Sequence, residues 1–115
     1  MDTRVIEAKV KHAIQESPKL SPMLFRISAR GKYPDLQPFA VMGLNEEAGE
    51  VAGLACRECY KGVDMPCEKW LEELGDVLWY LTVAIIARGF TFDEVWAYNV
   101  DKLEDRYGKC REKET

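Results

Sequence analysis

The chain has 115 residues, 47% of them apolar, with 20 acidic and 16 basic side chains and a net charge of −4. This is enough for one domain, spanning 1–115, built around a single core. The composition is globular rather than disordered. Acidic and basic residues are interspersed, without the basic stripe of a protein that binds nucleic-acid polymers. No segment approaches the roughly 18 uninterrupted apolar residues that cross a bilayer, and MDTRVIEAKVKHAIQ lacks a signal-peptide core. A cytoplasmic protein with no membrane partner is expected, and if it binds phosphates it needs cations between them and its own charge.

Helical periodicity is strong along the chain and strand signals are poor, so the expected fold class is all-α. A first helix is predicted over about Thr3 to Glu16, stopping before Ser17-Pro18. His12, the single histidine, reads as a surface imidazole there. A short helical piece is expected at about Pro22 to Ala29. A loop marked by Gly31, Pro34 and Pro38 follows; Arg26, Arg30 and Lys32 of this whole stretch could reach a phosphate, though exposed charges here need no such explanation.

A second main helix is predicted from about Phe39 to Tyr60, with Val41, Leu44, Ala48, Val51 and Ala55 as its apolar stripe. Gly49, Ala52, Gly53 and Cys56 form a small-residue face beside it. Lys61 and Gly62 carry the signature of a helix end. Cys56 and Cys59 form a C-x-x-C with Cys67 nearby. No second such pair follows, so these cysteines and Cys110 read as free thiols, those inside helices serving as small apolar side chains. Zinc or redox chemistry is the alternative reading.

A third helix is expected over about Pro66 to Arg88. Its main stripe is Leu71, Leu74, Leu78, Leu81 and Ile85, and with Val77, Trp79, Val83, Ala84 and Ile86 added it reads as buried nearly all round. The fourth helix opens on Thr91-Phe92-Asp93-Glu94, a capping box, and carries Phe92, Trp96, Val100, Leu103 and Tyr107 on one face. Four such helices with short connections make a bundle.

The chemistry lies in NEEAGEVAG and LEELGDVLWYL. Residues three apart on a helix lie about 60° apart around its axis, so Glu47 and Glu50 point the same way, as do Glu73 and Asp76. Two antiparallel helices with these pairs facing would gather four carboxylates. Like charges so placed repel, and leaving them without water or partner is costly. Mg²⁺ resolves this: it takes oxygen ligands, keeps several waters and bridges carboxylates to phosphates. Either pair alone is better explained as a solvated acidic face. Against that, Glu73 and Asp76 share a stripe with Tyr80, Val83 and Ala87. On the fourth helix Asn99, Lys102 and Arg106 repeat at spacings of three and four, an amide and two cations suited to phosphate oxygens. The plain alternative is that their stems cover an apolar stripe.

These segments resemble the MazG-like all-α nucleoside triphosphate pyrophosphohydrolases. The family's E-E-x-x-E reads here Glu46-Glu47-Ala48-Gly49-Glu50, and its E-x-x-D reads Glu73-Leu74-Gly75-Asp76. Asn99-Val100-Asp101-Lys102-Leu103 with Arg106-Tyr107 looks like its closing N-x-x-K-L…R-Y. The match covers about Phe39 to Tyr107. The N-terminal helix and loop, 1–38, carry little of the pattern.

The resemblance implies Glu47, Glu50, Glu73 and Asp76 as metal ligands, with Glu46 as an outer ligand or a base orienting water. Asn99 and Lys102 would contact phosphates, with Arg106 and Lys61 as further candidates, and Tyr80 would face the sugar or base. The implied reaction takes a (deoxy)nucleoside triphosphate to the monophosphate and pyrophosphate, with Mg²⁺ as cofactor and Mn²⁺ as a substitute. The implied assembly is a homodimer or homotetramer that completes the bundle. The competing reading is a non-catalytic helical module of the same fold, binding nucleotide or protein without turnover.

Overall fold

The computed structural model describes residues 2–108; Met1 and residues 109–115, Cys110 among them, lie outside the described residues. The described chain is all-α: α1 (Thr3–Glu16), a 3₁₀ turn (Ser21–Leu24), α2 (Leu36–Lys61), α3 (Cys67–Ala87) and α4 (Phe92–Tyr107). Among the described residues, no single helix is long and apolar enough to cross a membrane.

Local chemistry explains the helix ends. Asp2 caps α1, its carboxylate accepting the Arg4 backbone N–H at 2.9 Å, so that one of the open donors of the first turn is met. The predicted capping box of α4 forms, with Thr91 and Glu94 each accepting the other's backbone N–H at 3.1 Å. Gly62, in the left-handed region at φ 65°, closes α2, and its N–H bonds back to the Arg57 carbonyl. The α2 helix starts three residues earlier than predicted, at Leu36 rather than Phe39. Pro38 therefore lies in the first turn, where its missing N–H has no intrahelical partner to lose.

The segment before α2 differs more. Only Ser21–Leu24 is helical, and as a 3₁₀ turn; the expected piece to Ala29 does not form. Phe25 and Ile27 face solvent, so no apolar face holds this stretch in a helix. Arg26 instead makes a two-point pair with Asp35, the shorter bond 2.6 Å. That hydrogen bond holds the Asp35 carboxyl below its ordinary range.

The core lies where α1 crosses the α2–α3 pair. It consists of Val10 and Ile14 from α1, Leu20 from the turn that follows α1, Leu36 and Ala40 from α2, and Val83 and Ala87 from α3. Leu36 and Ala40 meet Val83 and Ala87, while further along Gly43 meets Tyr80. Residue numbers rise on one helix as they fall on the other, so the two run antiparallel. The α2 helix has 26 residues and α3 has 21, about 39 and 31 Å at 1.5 Å per residue. The 14 residues of α1 span about 21 Å and cover only one end of the pair. The α4 helix turns by 99° from α3 and is tied to α1: Glu7 accepts the Phe92 N–H, and Thr3 donates to Asp93 at 2.8 Å. The chain is accordingly open, with a radius of gyration of 17.3 Å against about 13 Å for a compact domain of this size.

That openness corrects two expectations. The α3 helix is not buried all round, since Leu71, Leu74 and Leu78 are exposed by 72%, 47% and 58%. Its buried residues are Glu73 and, within its last two turns, Thr82, Val83, Ile85 and Ala87. On α2 the expected stripe is rotated away from the core: Val41, Ala48 and Ala55 are exposed, and Leu36, Ala40, Gly43 and Leu54 are buried instead. Periodicity found apolar faces but not which of them the chain itself would cover. The cysteines Cys56, Cys59 and Cys67 are exposed free thiols, not the small packing residues expected.

Gly89 links α3 to α4 at φ +76°, and a Cβ there would sit 2.9 Å from the Arg30 carbonyl oxygen. Beside it the Tyr33 N–H donates to the Ala87 carbonyl at 2.8 Å, pinning the loop to the end of α3. Gly89→Ala combines a disfavoured backbone with a collision and should cost about 1–3 kcal/mol. Urea unfolding followed by circular dichroism measures the loss.

Candidate metal centre

Beyond the reach of α1, the facing sides of α2 and α3 change from apolar to acidic without changing face. After Leu36, Ala40 and Gly43, α2 next presents Glu47. Before Ala87, Val83 and Tyr80, α3 presents Asp76 and Glu73. Carboxylate oxygens of Glu47, Glu73 and Asp76 lie within 4.8 Å of one another. Glu73 is only 6% exposed, while Glu47 and Asp76 are half-buried. Glu50 stands outside this group of three and is exposed. It lies one turn past Glu47, and the antiparallel register sets it across from Glu73. Glu46 is exposed beside Glu47.

The electrostatics follow from the crowding. The Glu47 carboxyl is pushed above its ordinary range, by burial first and then by Asp76, Glu73, Glu46 and Glu50. Glu73 is held by Lys69, whose ammonium lies 3.0 Å from one of its oxygens. The Lys69 pKa is raised, chiefly by that hydrogen bond and then by the charge of Glu72. Burial, followed by Glu47, Glu46 and Asp76, also raises the Tyr80 pKa, so its phenol stays protonated at neutral pH and can donate.

The donor set fits a hard divalent cation. Oxygen ligands around one octahedral Mg²⁺ lie about 3 Å apart when adjacent and about 4 Å when opposite. Three carboxylates spread over 4.8 Å match that span after small side-chain rotations, or with water completing the shell. Glu47, Glu73 and Asp76 would hold the ion directly, with Glu50 within a turn.

Tyr80 borders this centre because α2 gives way to it. Its ring packs on Phe39 with centroids 5.5 Å apart. On the other side it lies so close to Gly43 that a Cβ there would fall 2.1 Å from a ring carbon. Gly43 is thus required by close approach rather than by its backbone angles. Neither Gly43's role nor Phe39's was visible in the sequence, since both act across the helix pair. Lys69 was also overlooked, although its position four residues before Glu73 is the standard spacing for a helical ion pair.

The remaining sequence candidates lie elsewhere. Asn99 and Lys102 border an apolar pocket with Leu78, Leu81 and Trp96. Leu78 follows Asp76 by two residues, about 200° around α3, so this pocket opens on the side of the helix opposite the acids. Arg106 is exposed in the last turn of α4. Lys61 is exposed at the end of α2, 14 residues and so about 21 Å beyond Glu47. Within one chain none of these cations reaches the carboxylates.

The MazG nucleotide pyrophosphohydrolase domain family matches residues 40–111, well over half of the chain. The chain belongs to this family. The matched segment contains both acidic pairs and the whole α2–α3 contact around them from Ala40 onward. Comparison with curated proteins and with solved structures gave no significant match.

Two substitutions test this geometry. Glu47→Gln removes the carboxylate whose ionisation the fold disfavours. A raised pKa in the folded state favours the protonated form, so this contribution to stability is present at low pH and lost as pH rises through the folded value. The variant should therefore melt higher than the parent in chelator at pH 7, with the difference shrinking as pH falls below the Glu47 range. Gly43→Ala should keep its helical content while displacing Tyr80, seen as an altered near-ultraviolet circular dichroism spectrum; an unchanged spectrum contradicts the contact.

Proposed function

We propose that this chain is a Mg²⁺-dependent nucleoside triphosphate pyrophosphohydrolase, converting a (deoxy)nucleoside triphosphate to the monophosphate and pyrophosphate, with Mn²⁺ able to substitute. The observation that carries the reading is the convergence of Glu47, Glu73 and Asp76 from two helices onto one buried-edge site, in a chain of the MazG family. Three acids drawn together at the end of a core have a high electrostatic cost, which a bound divalent cation would relieve.

In this reading water adds to the α-phosphorus, and the bond to the bridging oxygen breaks to release pyrophosphate. The bound divalent cation supplies charge neutralisation for the phosphate chain and the leaving group. Glu47, Glu73 and Asp76 fix its position, with Glu50 completing the set. Glu46, exposed beside Glu47, orients the attacking water and accepts its proton. Tyr80, protonated and braced between Phe39 and Gly43, bounds the site and faces the sugar or base.

Phosphate-binding cations come from assembly. Leu71, Leu74 and Leu78 lie on one face of α3, and Leu78 continues into the pocket lined by Trp96, Asn99 and Lys102. An apolar face so exposed is the kind of surface that a subunit contact covers. A homodimer or homotetramer formed there would complete the bundle, with Asn99, Lys102 and Arg106 as the side chains offered to the phosphates in the assembly. Lys61 is assigned to the same periphery.

The test is Mg²⁺-dependent pyrophosphate release across common and modified nucleoside triphosphates. Asp76→Asn and Glu73→Gln should each lower turnover on the order of 100-fold or more with helical content retained. Turnover at parental level in either variant refutes the assignment. Absence of release with every triphosphate, alongside intact nucleotide binding, favours a non-catalytic module.

A further inference from the structure

The acidic site carries its own cation. Lys69 lies in the first turn of α3, one turn ahead of Glu73, with its Nζ 3.0 Å from Glu73 Oε1 and 3.9 Å from Glu72 Oε1. Among the described residues, no other ion pair reaches Glu47, Glu50, Glu73 or Asp76. The two partners differ sharply in their surroundings. The Glu73 side chain is 8% exposed and the Lys69 side chain 40%. A carboxylate that buried needs a partner, whereas the ammonium can swing into water on its flexible stem at little cost.

Resting on the metal-site reading above, we propose that Lys69 is the resident counter-ion of the metal-free site and competes with the divalent cation for Glu73. Cation entry makes the ammonium withdraw toward Glu72 and solvent. Lys69 thereby keeps Glu73 from standing unpaired between turnovers, at the cost of weaker metal binding. One positive charge against four carboxylates leaves the site strongly negative, so Lys69 moderates metal affinity without blocking it. It is a positioning residue: it acts through Glu73 and is given no contact with substrate.

The test is Mn²⁺ binding without nucleotide, at low salt, read from the electron paramagnetic resonance signal of the free ion. Lys69→Met keeps the apolar stem and removes the charge, and should tighten Mn²⁺ binding about threefold to tenfold. Lys69→Arg keeps the charge and should track the parent; circular dichroism checks that both fold. Unchanged or weaker binding in Lys69→Met overturns the proposal, as does equal tightening in Lys69→Arg. Parental binding of Mn²⁺ with no gain in Lys69→Met sinks the role of Lys69 alone. Failure of the parent itself to bind Mn²⁺ removes the metal site and the proposal together.

Discussion

The antiparallel contact between α2 and α3 is the constraint on which everything else depends. One face of each helix begins apolar, as Leu36 and Ala40 meet Val83 and Ala87, and continues into carboxylates, as Glu47 meets Asp76 and Glu73. The apolar half supplies the free energy that fixes the register. The acidic half has no freedom to separate, because it is carried on the same rigid rods. Helix packing thus forces together charges that would otherwise part. The raised Glu47 pKa and the Lys69–Glu73 pair are two responses to that compression. A bound divalent cation would be a third.

The limited reach of α1 determines where the site lies. A helix of 14 residues seals only one end of the longer pair, burying Val83 and Ala87 while leaving the acids at the margin of the core. There Glu73 is enclosed, while Glu47 and Asp76 stay partly accessible. On the other side of α3, Leu71, Leu74 and Leu78 are exposed as well, and Leu78 opens onto the pocket beside α4.

Much of this was legible in the sequence, because it is written in short-range spacing. The capping box at Thr91, the glycine stop at Gly62 and the shared face of Glu73, Asp76, Tyr80, Val83 and Ala87 are all set within two or three turns of one helix. The coming together of three acids followed from two such spacings and one antiparallel pairing. What failed was the choice between apolar faces. Val41, Ala48 and Ala55 are as regularly spaced as Leu36, Ala40 and Gly43, and Leu71, Leu74 and Leu78 are more apolar than the buried face beside them. Periodicity registers hydrophobicity but not whether a chain covers it alone. Pro38 misled for a different reason, since proline stops a helix in its interior and is tolerated in its first turn. The accommodation of Tyr80 by Gly43 is a contact between helices and left no mark in either one.

The central claim is that the α2–α3 packing holds its carboxylates in readiness for a divalent cation. Thermal unfolding of the parent protein across a Mg²⁺ titration tests it most directly, because a ligand that binds only the folded chain raises the midpoint with concentration. The account predicts a midpoint that climbs steadily above that in chelator and continues to rise once the site is saturated. A midpoint that ignores Mg²⁺ at every concentration would mean that the acids tolerate one another without a metal, and would contradict it.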